Sequence, residues 1–265
     1  MAKITPDTRP ATRRVFITGA SSGIGEALAR HYAAQGAILG LVARRESLLQ
    51  QLATSLKSEC ANYALDVRDA AALKAAADDF TQRFGVPDIV IANAGVSRGT
   101  LTDQAEDLAA FQAVFDTNVM GMVQTFQPFV AAMRQAQRGS LVGVASVAGL
   151  RGLPGSGAYS ASKAAAISYL ESLRVELVGS GVNVTTICPG FIRTPMTEKN
   201  PYRMPFLMDA DVAATKMARV IDQKRRYVIL PWQMALVGRV FKLFPAWLWD
   251  AMTRNFKRKP RVSTD

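Results

Sequence analysis

Val15-Phe16-Ile17-Thr18-Gly19-Ala20-Ser21-Ser22-Gly23-Ile24-Gly25 is the stretch that decides the architecture. An apolar, strand-like run passes directly into a turn with glycines at 19, 23 and 25, and a helical pattern follows at once. The G-x-x-x-G-x-G spacing differs from the commoner G-x-G-x-x-G, but the physical demands coincide. The turn needs unusual backbone angles, the chain must come close to a pyrophosphate, and the helix amino terminus offers free amides and a positive dipole end. A Gly/Ser-rich loop that merely turns the chain would share the composition. Its place between a strand and a helix favours a dinucleotide held by Gly19, Ser21, Ser22, Gly23, Ile24 and Gly25.

Outward from the turn, short apolar runs alternate with longer periodic ones. Val15–Thr18, Ile38–Ala43, Asn62–Leu65, Ile89–Asn93, Ser140–Ala145, Val184–Cys188 and Tyr227–Leu230 read as strands, several apolar almost throughout, as strands covered on both faces must be. Between them Ile24–Gln35, Glu46–Lys57, Ala70–Phe84, Leu108–Gln135 and Tyr159–Val178 are amphipathic. The alternation predicts an α/β fold. This is a single Rossmann-type, doubly wound parallel sheet of about seven strands, flanked by helices on both faces, with ligands at the carboxyl ends of its strands. At 265 residues, 49% hydrophobic and 20% charged, the chain suits one such domain and is short for two. Residues 1–12 read as a flexible segment without the apolar stretch of a secretory signal, 13–231 as a dinucleotide-binding catalytic domain, and 232–265 as an amphipathic basic extension on or near the substrate site.

The end of strand two selects the dinucleotide, because a site for NAD(H) needs an acid there to bind the ribose hydroxyls. The chain reads Val42-Ala43-Arg44-Arg45 instead. A guanidinium fork matches a 2′-phosphate, which an acid would repel. Arginines after a strand are common, but joined to the glycine turn Arg44 and Arg45 favour NADP(H) over NAD(H).

Tyr159 and Lys163 stand at i and i+4 of a helical stretch, on one face. A phenol titrates near ~10 in water, and an adjacent ammonium moves it toward the range in which it exchanges protons. Chance supplies many such pairs. Ser146 adds context, since it ends a strand at the edge where a doubly wound sheet gathers its ligands.

These residues resemble the short-chain dehydrogenase/reductase family in its compact single-domain form. Thr18–Gly25 is similar to the family's cofactor turn and Asn93-Ala94-Gly95 to its strand-four motif. Asn118, Ser146, Tyr159 and Lys163 match its catalytic tetrad in order and spacing, and Pro189-Gly190 followed by Thr194 matches its nicotinamide-contacting turn. The resemblance runs from about Arg14 to Pro231, with no departure in the tetrad. It implies interconversion of a carbonyl and an alcohol with NADP(H). Ser146 would orient the substrate oxygen, Tyr159 would give it a proton, Lys163 would bind the nicotinamide ribose and lower the tyrosine pKa, and Asn118 would hold a water on a proton path. The resemblance also assigns Asp66, in Leu65-Asp66-Val67, to the adenine, Asn93, Ala94 and Gly95 to the adenosine ribose, and Ile192 and Thr194 to the carboxamide. It implies a homo-dimer or homo-tetramer, with Leu108–Gln135 and Tyr159–Val178 pairing with their copies. Taken singly, Ser146 reads equally as a strand-end serine, Asn118 as a kink and Asp66 as a turn former.

The remaining composition excludes more than it assigns. Cys60 and Cys188 read as buried thiols of a reducing, cytoplasmic compartment, His31 as a packing or surface residue, and no ligand spacing calls for a metal. Of the net charge of +11, nine units lie from Lys216 onward, without a nucleic-acid-binding motif to use them. Residues 195–208 hold three prolines and several large apolar groups, which favours a lipophilic ketone, aldehyde or alcohol as substrate. All three tryptophans fall in Trp232–Phe256, a stretch that Arg239, Lys242 and Pro245 interrupt too often for a membrane span. Three readings stay open for it: helices over the substrate pocket, a subunit contact, or an amphipathic membrane-surface anchor aided by Lys257-Arg258-Lys259 and Arg261. Beside a soluble oxidoreductase stand two alternatives: a membrane-surface lipid reductase of the same chemistry, and an NADPH-sensing regulator. The intact tetrad argues against the regulator.

Overall fold

Val15 and Ile17 enter one core and Phe16 the other, all three with no exposed surface, in a computed structural model that describes residues 12–198, 200 and 202–261. Strand one is apolar from Val15 to Ile17, on both pleats, because helices cover both of its faces. The expected flexible segment at 1–12 lies outside the described residues except for Thr12. In chain order the first half comprises β1 (Arg14–Thr18), α1 (Gly23–Ala33), β2 (Ile38–Ala43), α2 (Glu46–Ser55), β3 (Cys60–Ala64), α3 (Ala70–Phe84), β4 (Ile89–Ala92), α4 (Asp107–Phe115) and α5 (Gly121–Gln135). A π-helical stretch, Asp116–Met120, joins α4 to α5. The second half comprises β5 (Gly139–Val144), a 3₁₀ turn Val147–Gly149, α6 (Gly157–Glu176), β6 (Val182–Pro189), β7 (Ile192–Arg193), α7 (Pro195–Glu198), β8 (Met208–Asp209), α8 (Ala210–Asp222), β9 (Tyr227–Leu230), α9 (Trp232–Leu243) and α10 (Ala246–Thr253).

Seven strands form one parallel sheet in the order β3-β2-β1-β4-β5-β6-β9, and β7 pairs with β8 separately. The winding reverses between β1 and β4, which opens a crevice at the carboxyl ends of these strands. One core packs α1 and α8 against Leu39, Leu41, Ile91 and Val142. The other packs α3, α5 and α6 against Phe16, Val90 and Leu141, with Phe16 at 4.9 Å from Phe129 and 5.5 Å from Phe80 between ring centroids.

Where element bounds differ from the sequence reading, pairing and packing explain it. β3 starts at Cys60 because Cys60 and Ala61 pair with Leu39 and Gly40, and β6 starts at Val182 because Val182 pairs with Gly139. Helix α8 escaped the sequence reading because much of its buried face is alanine, at 213, 214 and 218, which leaves a weak apolar period. Pro245 separates α9 from α10, as its position suggests. Cys188 is buried as expected, but Cys60 is only partly covered near the sheet edge.

Candidate active site

The glycine turn is dictated by backbone contacts. Gly19 has φ 69°, and a side-chain carbon there would lie 2.8 Å from the Ala94 Cα. At Gly25 such a carbon would lie 2.2 Å from the Gly19 carbonyl oxygen, so the start of α1 folds back directly onto the turn. Buried Thr18 accepts the Asn93 and Ala94 amides on Oγ1 at 3.3 Å each. The Asn93 side-chain amide in return donates to the Thr18 and Gly19 carbonyls at 3.1 and 3.2 Å. Asn93-Ala94-Gly95 is thereby stitched to the glycine turn where the winding reverses.

A single cleft along the carboxyl edge of the sheet is lined by Gly19, Ser21, Ser22, Gly23, Ile24, Arg44, Arg45, Asp66, Val67, Asn93, Ala94, Gly95, Ser146, Tyr159, Lys163, Pro189, Gly190, Ile192 and Thr194. Of the sequence-derived set, only Gly25, which lies beneath the turn, and Asn118, which is fully buried, do not line it. The cleft also takes in Thr117, Val144, Pro195, Met196 and Thr197, which the motifs did not single out. Thr197 had a local signal, its threonine partner three residues earlier: its hydroxyl accepts from the Thr194 amide at 3.1 Å and donates to the Ile192 carbonyl at 2.6 Å.

At the end of β2, Arg45 donates to the hydroxyls of Ser22 at 2.8 Å and Ser21 at 3.1 Å. Exposed Arg44 stands 3.8 Å from the Asp66 carboxylate. Arg68 grips Asp66 more closely, at 2.7 Å, and its hydrogen bond is the main reason that carboxyl titrates below the usual range.

Asn118 sits in the π-helical stretch, a local widening frequent at functional sites. Its side chain accepts from the Val96 amide at 2.8 Å and donates to the Val96 carbonyl and the Ser162 hydroxyl at 3.0 Å each. Its amide is therefore engaged in tying the loop after β4 to α6, rather than facing the cleft. Ser146 follows β5 and accepts the Ala148 amide at 3.1 Å, capping the 3₁₀ turn. Lys163, buried in α6, donates to the Val144 carbonyl at 2.9 Å. Burial pushes its ammonium down to about 8. Burial also pushes the Tyr159 hydroxyl up; the Ser146 hydroxyl opposes that shift and Tyr202 adds to it. Desolvation is the largest of these influences on the Tyr159 hydroxyl.

The C-terminal helices lie against this site. Arg151 donates to the carbonyls of Phe241 at 3.1 Å and Phe244 at 2.9 Å, and its guanidinium stands 4.9 Å above the Trp249 ring. Trp249 donates to the Gly152 carbonyl at 3.1 Å. A side-chain carbon at Gly190 would lie 2.9 Å from Met234 Cγ, so α9 rests on the turn after β6. Among the described residues no cluster of His, Cys, Asp and Glu could hold a metal, and no helix is long and apolar enough to cross a membrane.

The short chain dehydrogenase family model matches residues 13–204. An uncharacterized oxidoreductase of Myxococcus xanthus is 39% identical over 248 residues, which is 92% of this chain and 98% of that protein. A solved short chain dehydrogenase/reductase from Burkholderia phymatum in complex with NAD superposes with a TM-score of 0.79 at 27% identity, covering 95% of this chain and 98% of that one. L-Sorbose reductase from Gluconobacter frateurii, complexed with NADPH and L-sorbose, gives a TM-score of 0.75 at 25% identity over 83% of this chain and 95% of that one.

Proposed function

This chain belongs to the short chain dehydrogenase family, as an oxidoreductase of CH–OH groups with a nicotinamide cofactor, and we propose that it uses NADP(H) on a lipophilic ketone, aldehyde or alcohol with Tyr159 as the proton-exchanging group. The observation that carries this reading is that Ser146, Tyr159 and Lys163 share one cleft with the glycine turn. The turn fits a pyrophosphate because side-chain carbons are missing where its backbone must be approached. The bound cofactor supplies a hydride to a carbonyl carbon, or takes one from a carbinol.

The chain's own residues handle the oxygen and its proton. Ser146 donates a hydrogen bond to the substrate oxygen and orients it. Tyr159 gives that oxygen its proton in reduction and takes it back in oxidation. Lys163 is held over the same helix turn by Val144 and offers its remaining donors to the cofactor ribose. Asn118 fixes the loop after β4 against α6. The preference for NADP(H) rests on Arg45 at the lip of the glycine turn, on Arg44 beside it and on the lack of an acid at the end of β2. Pro195, Met196 and the Phe191–Tyr202 ring pair support an apolar substrate. Exposed Phe111 on α4, Met120 in the π-helical stretch, Val175 on α6 and Val178 just past it support a homo-dimer or homo-tetramer.

The test is NADPH oxidation with a panel of lipophilic ketones and aldehydes. Tyr159→Phe should lower turnover by about 10²–10⁴ while NADPH still binds. Near-normal turnover in that variant would sink the assignment.

A second reading, a protein that works at an anionic membrane surface, is favoured by one observation. Trp232, Leu236, Val240 and Leu243 form an exposed stripe on α9 that Trp247 continues, with Arg239, Lys242, Arg254 and Lys257 exposed around it. Anionic vesicles should then carry the protein up a density gradient, and neutral vesicles should not.

A further inference from the structure

The residues after α10 return to the site. Residues 257–261 cross between the loop after β4 and the loop before α6, and each loop has a glycine where they pass. A side-chain carbon on Gly99 would lie 2.4 Å from the Lys259 carbonyl oxygen, and one on Gly155 would lie 2.8 Å from the Arg258 Cβ. The Gly99 amide donates to the Pro260 carbonyl at 3.3 Å. Arg261 anchors the end, pairing with Asp107 at 2.8 Å and Glu106 at 2.5 Å. The segment is thus a strap seated in a groove that fits backbone against backbone.

The strap sends one side chain inward. Lys259 Nζ donates to the Ser97 hydroxyl at 2.6 Å and stands 5.8 Å from the centre of the Tyr159 ring, the same distance as Lys163 Nζ. Arg261, two residues on, has two carboxylates, whereas no Asp or Glu among the described residues pairs with Lys259. Burial alone pushes its pKa down, as expected of a desolvated ammonium without a counter-charge. A half-buried cation of this kind is costly unless something negative arrives to meet it.

We propose that Lys259 and Ser97 form an anion-binding subsite beside Tyr159, so that the substrate carries a carboxylate a few bonds from its reacting carbonyl. This rests on the reading of Tyr159 as the proton donor and narrows its substrate class to lipophilic keto acids or hydroxy acids. A single ammonium beside one hydroxyl matches a monoanion. A phosphate dianion would call for the bidentate arginine fork that is present instead at the other end of the cleft.

Binding of two unreactive probes separates this subsite from the chemistry. Calorimetry on the NADPH-loaded full chain would compare 4-phenylbutanoate with 4-phenylbutan-1-ol. The acid should bind the parent protein about 10-fold or more tightly than the alcohol, as a charge-assisted hydrogen bond implies. Lys259→Met should erase that preference without changing alcohol binding, and Lys259→Arg should keep most of it. An acid that binds no better than the alcohol overturns the proposal, including the case in which neither binds. Equal loss of both probes in Lys259→Met also overturns it, since the strap would then be only a wall. If no carbonyl is reduced with NADPH while the acid preference is present and lost in Lys259→Met, the assignment of Tyr159 fails and the anion subsite stands.

Discussion

The glycine turn lines the cleft and the C-terminal strap reaches Tyr159 in its wall, but the two are built in opposite ways. The turn binds with backbone: Gly19 and Gly25 are required because carbonyls and Cα atoms lie where their side chains would be. The strap binds with a side chain, Lys259, delivered across more than a hundred residues of sequence to the Ser97 hydroxyl. A backbone site accepts one kind of ligand and resists substitution. A side-chain site can be retuned by one residue, which suits the half of the cleft that must recognise a particular substrate.

The largest effect should come from Gly25→Ala. Its new carbon would meet the Gly19 carbonyl at 2.2 Å, so the turn must open and NADPH binding should fall below detection. Overpacking of this kind costs about 1–3 kcal/mol, or several degrees in Tm for a chain of this size. Gly36→Ala is the control. Gly36 has φ 75° with nothing within 4 Å of its missing side chain, so about 1 kcal/mol of backbone strain should appear with normal cofactor binding. If the two variants bind NADPH equally well, the turn is not a backbone-built site.

Arg45→Ala comes next, because it removes a side chain and leaves the turn intact. NADPH affinity should fall about 10- to 100-fold, the range for charge-assisted hydrogen bonds, with NADH affinity unchanged in fluorescence titrations at fixed ionic strength. An equal fall for both dinucleotides would mean that Arg45 only braces Ser21 and Ser22.

The same contrast separates what could be read in the sequence from what could not. The sheet, the glycine turn and the tetrad spacing are local patterns, and Ser146, Tyr159, Lys163 and most of the turn line one cleft. Asn118 is picked out by the family resemblance, but its engagement with Val96 and Ser162 depends on how the π-helical stretch faces α6. The strap was less legible still. Lys257-Arg258-Lys259 reads as a charge run, and only Gly99 and Gly155, on two distant loops, show that it has a seat. The rise in the Tyr159 pKa was hidden too, because desolvation is a property of the packed site rather than of the Tyr-x-x-x-Lys spacing.

Lys163 carries a cost that pH can expose. Its pKa is about 8 in the folded protein against 10.5 for the free side chain. Below about 8 both states hold the proton, and folding bears the whole penalty of burying the charge. Between about 8 and 10.5 the unfolded chain binds more protons, so this contribution rises with pH. Lys163→Met should therefore abolish turnover yet raise stability at pH 7 by about 1–2 kcal/mol, after allowance for the lost bond to Val144. The advantage should shrink as the pH climbs through that window. Melting curves at pH 7 and pH 10 check it, and a variant less stable at both would remove the buried-charge argument.

The smallest effect on stability should come from the outer face of the C-terminal helices. Leu243 is 84% exposed and Trp247 71%, so the double change Leu243→Ser and Trp247→Ser should leave the folding free energy within about 0.5 kcal/mol. If the stripe meets lipid, the same change should cost most of the vesicle binding, since burying a leucine alone is worth about 1.5–3 kcal/mol. Salt then separates the two parts of the attraction. High ionic strength screens Arg239, Lys242 and Lys257 but not the apolar contact, so the gap between parent and variant should persist as both bind less. Unchanged flotation would remove the membrane reading. A shift of the variant to a smaller species on gel filtration would instead assign the stripe to contact between copies of the chain.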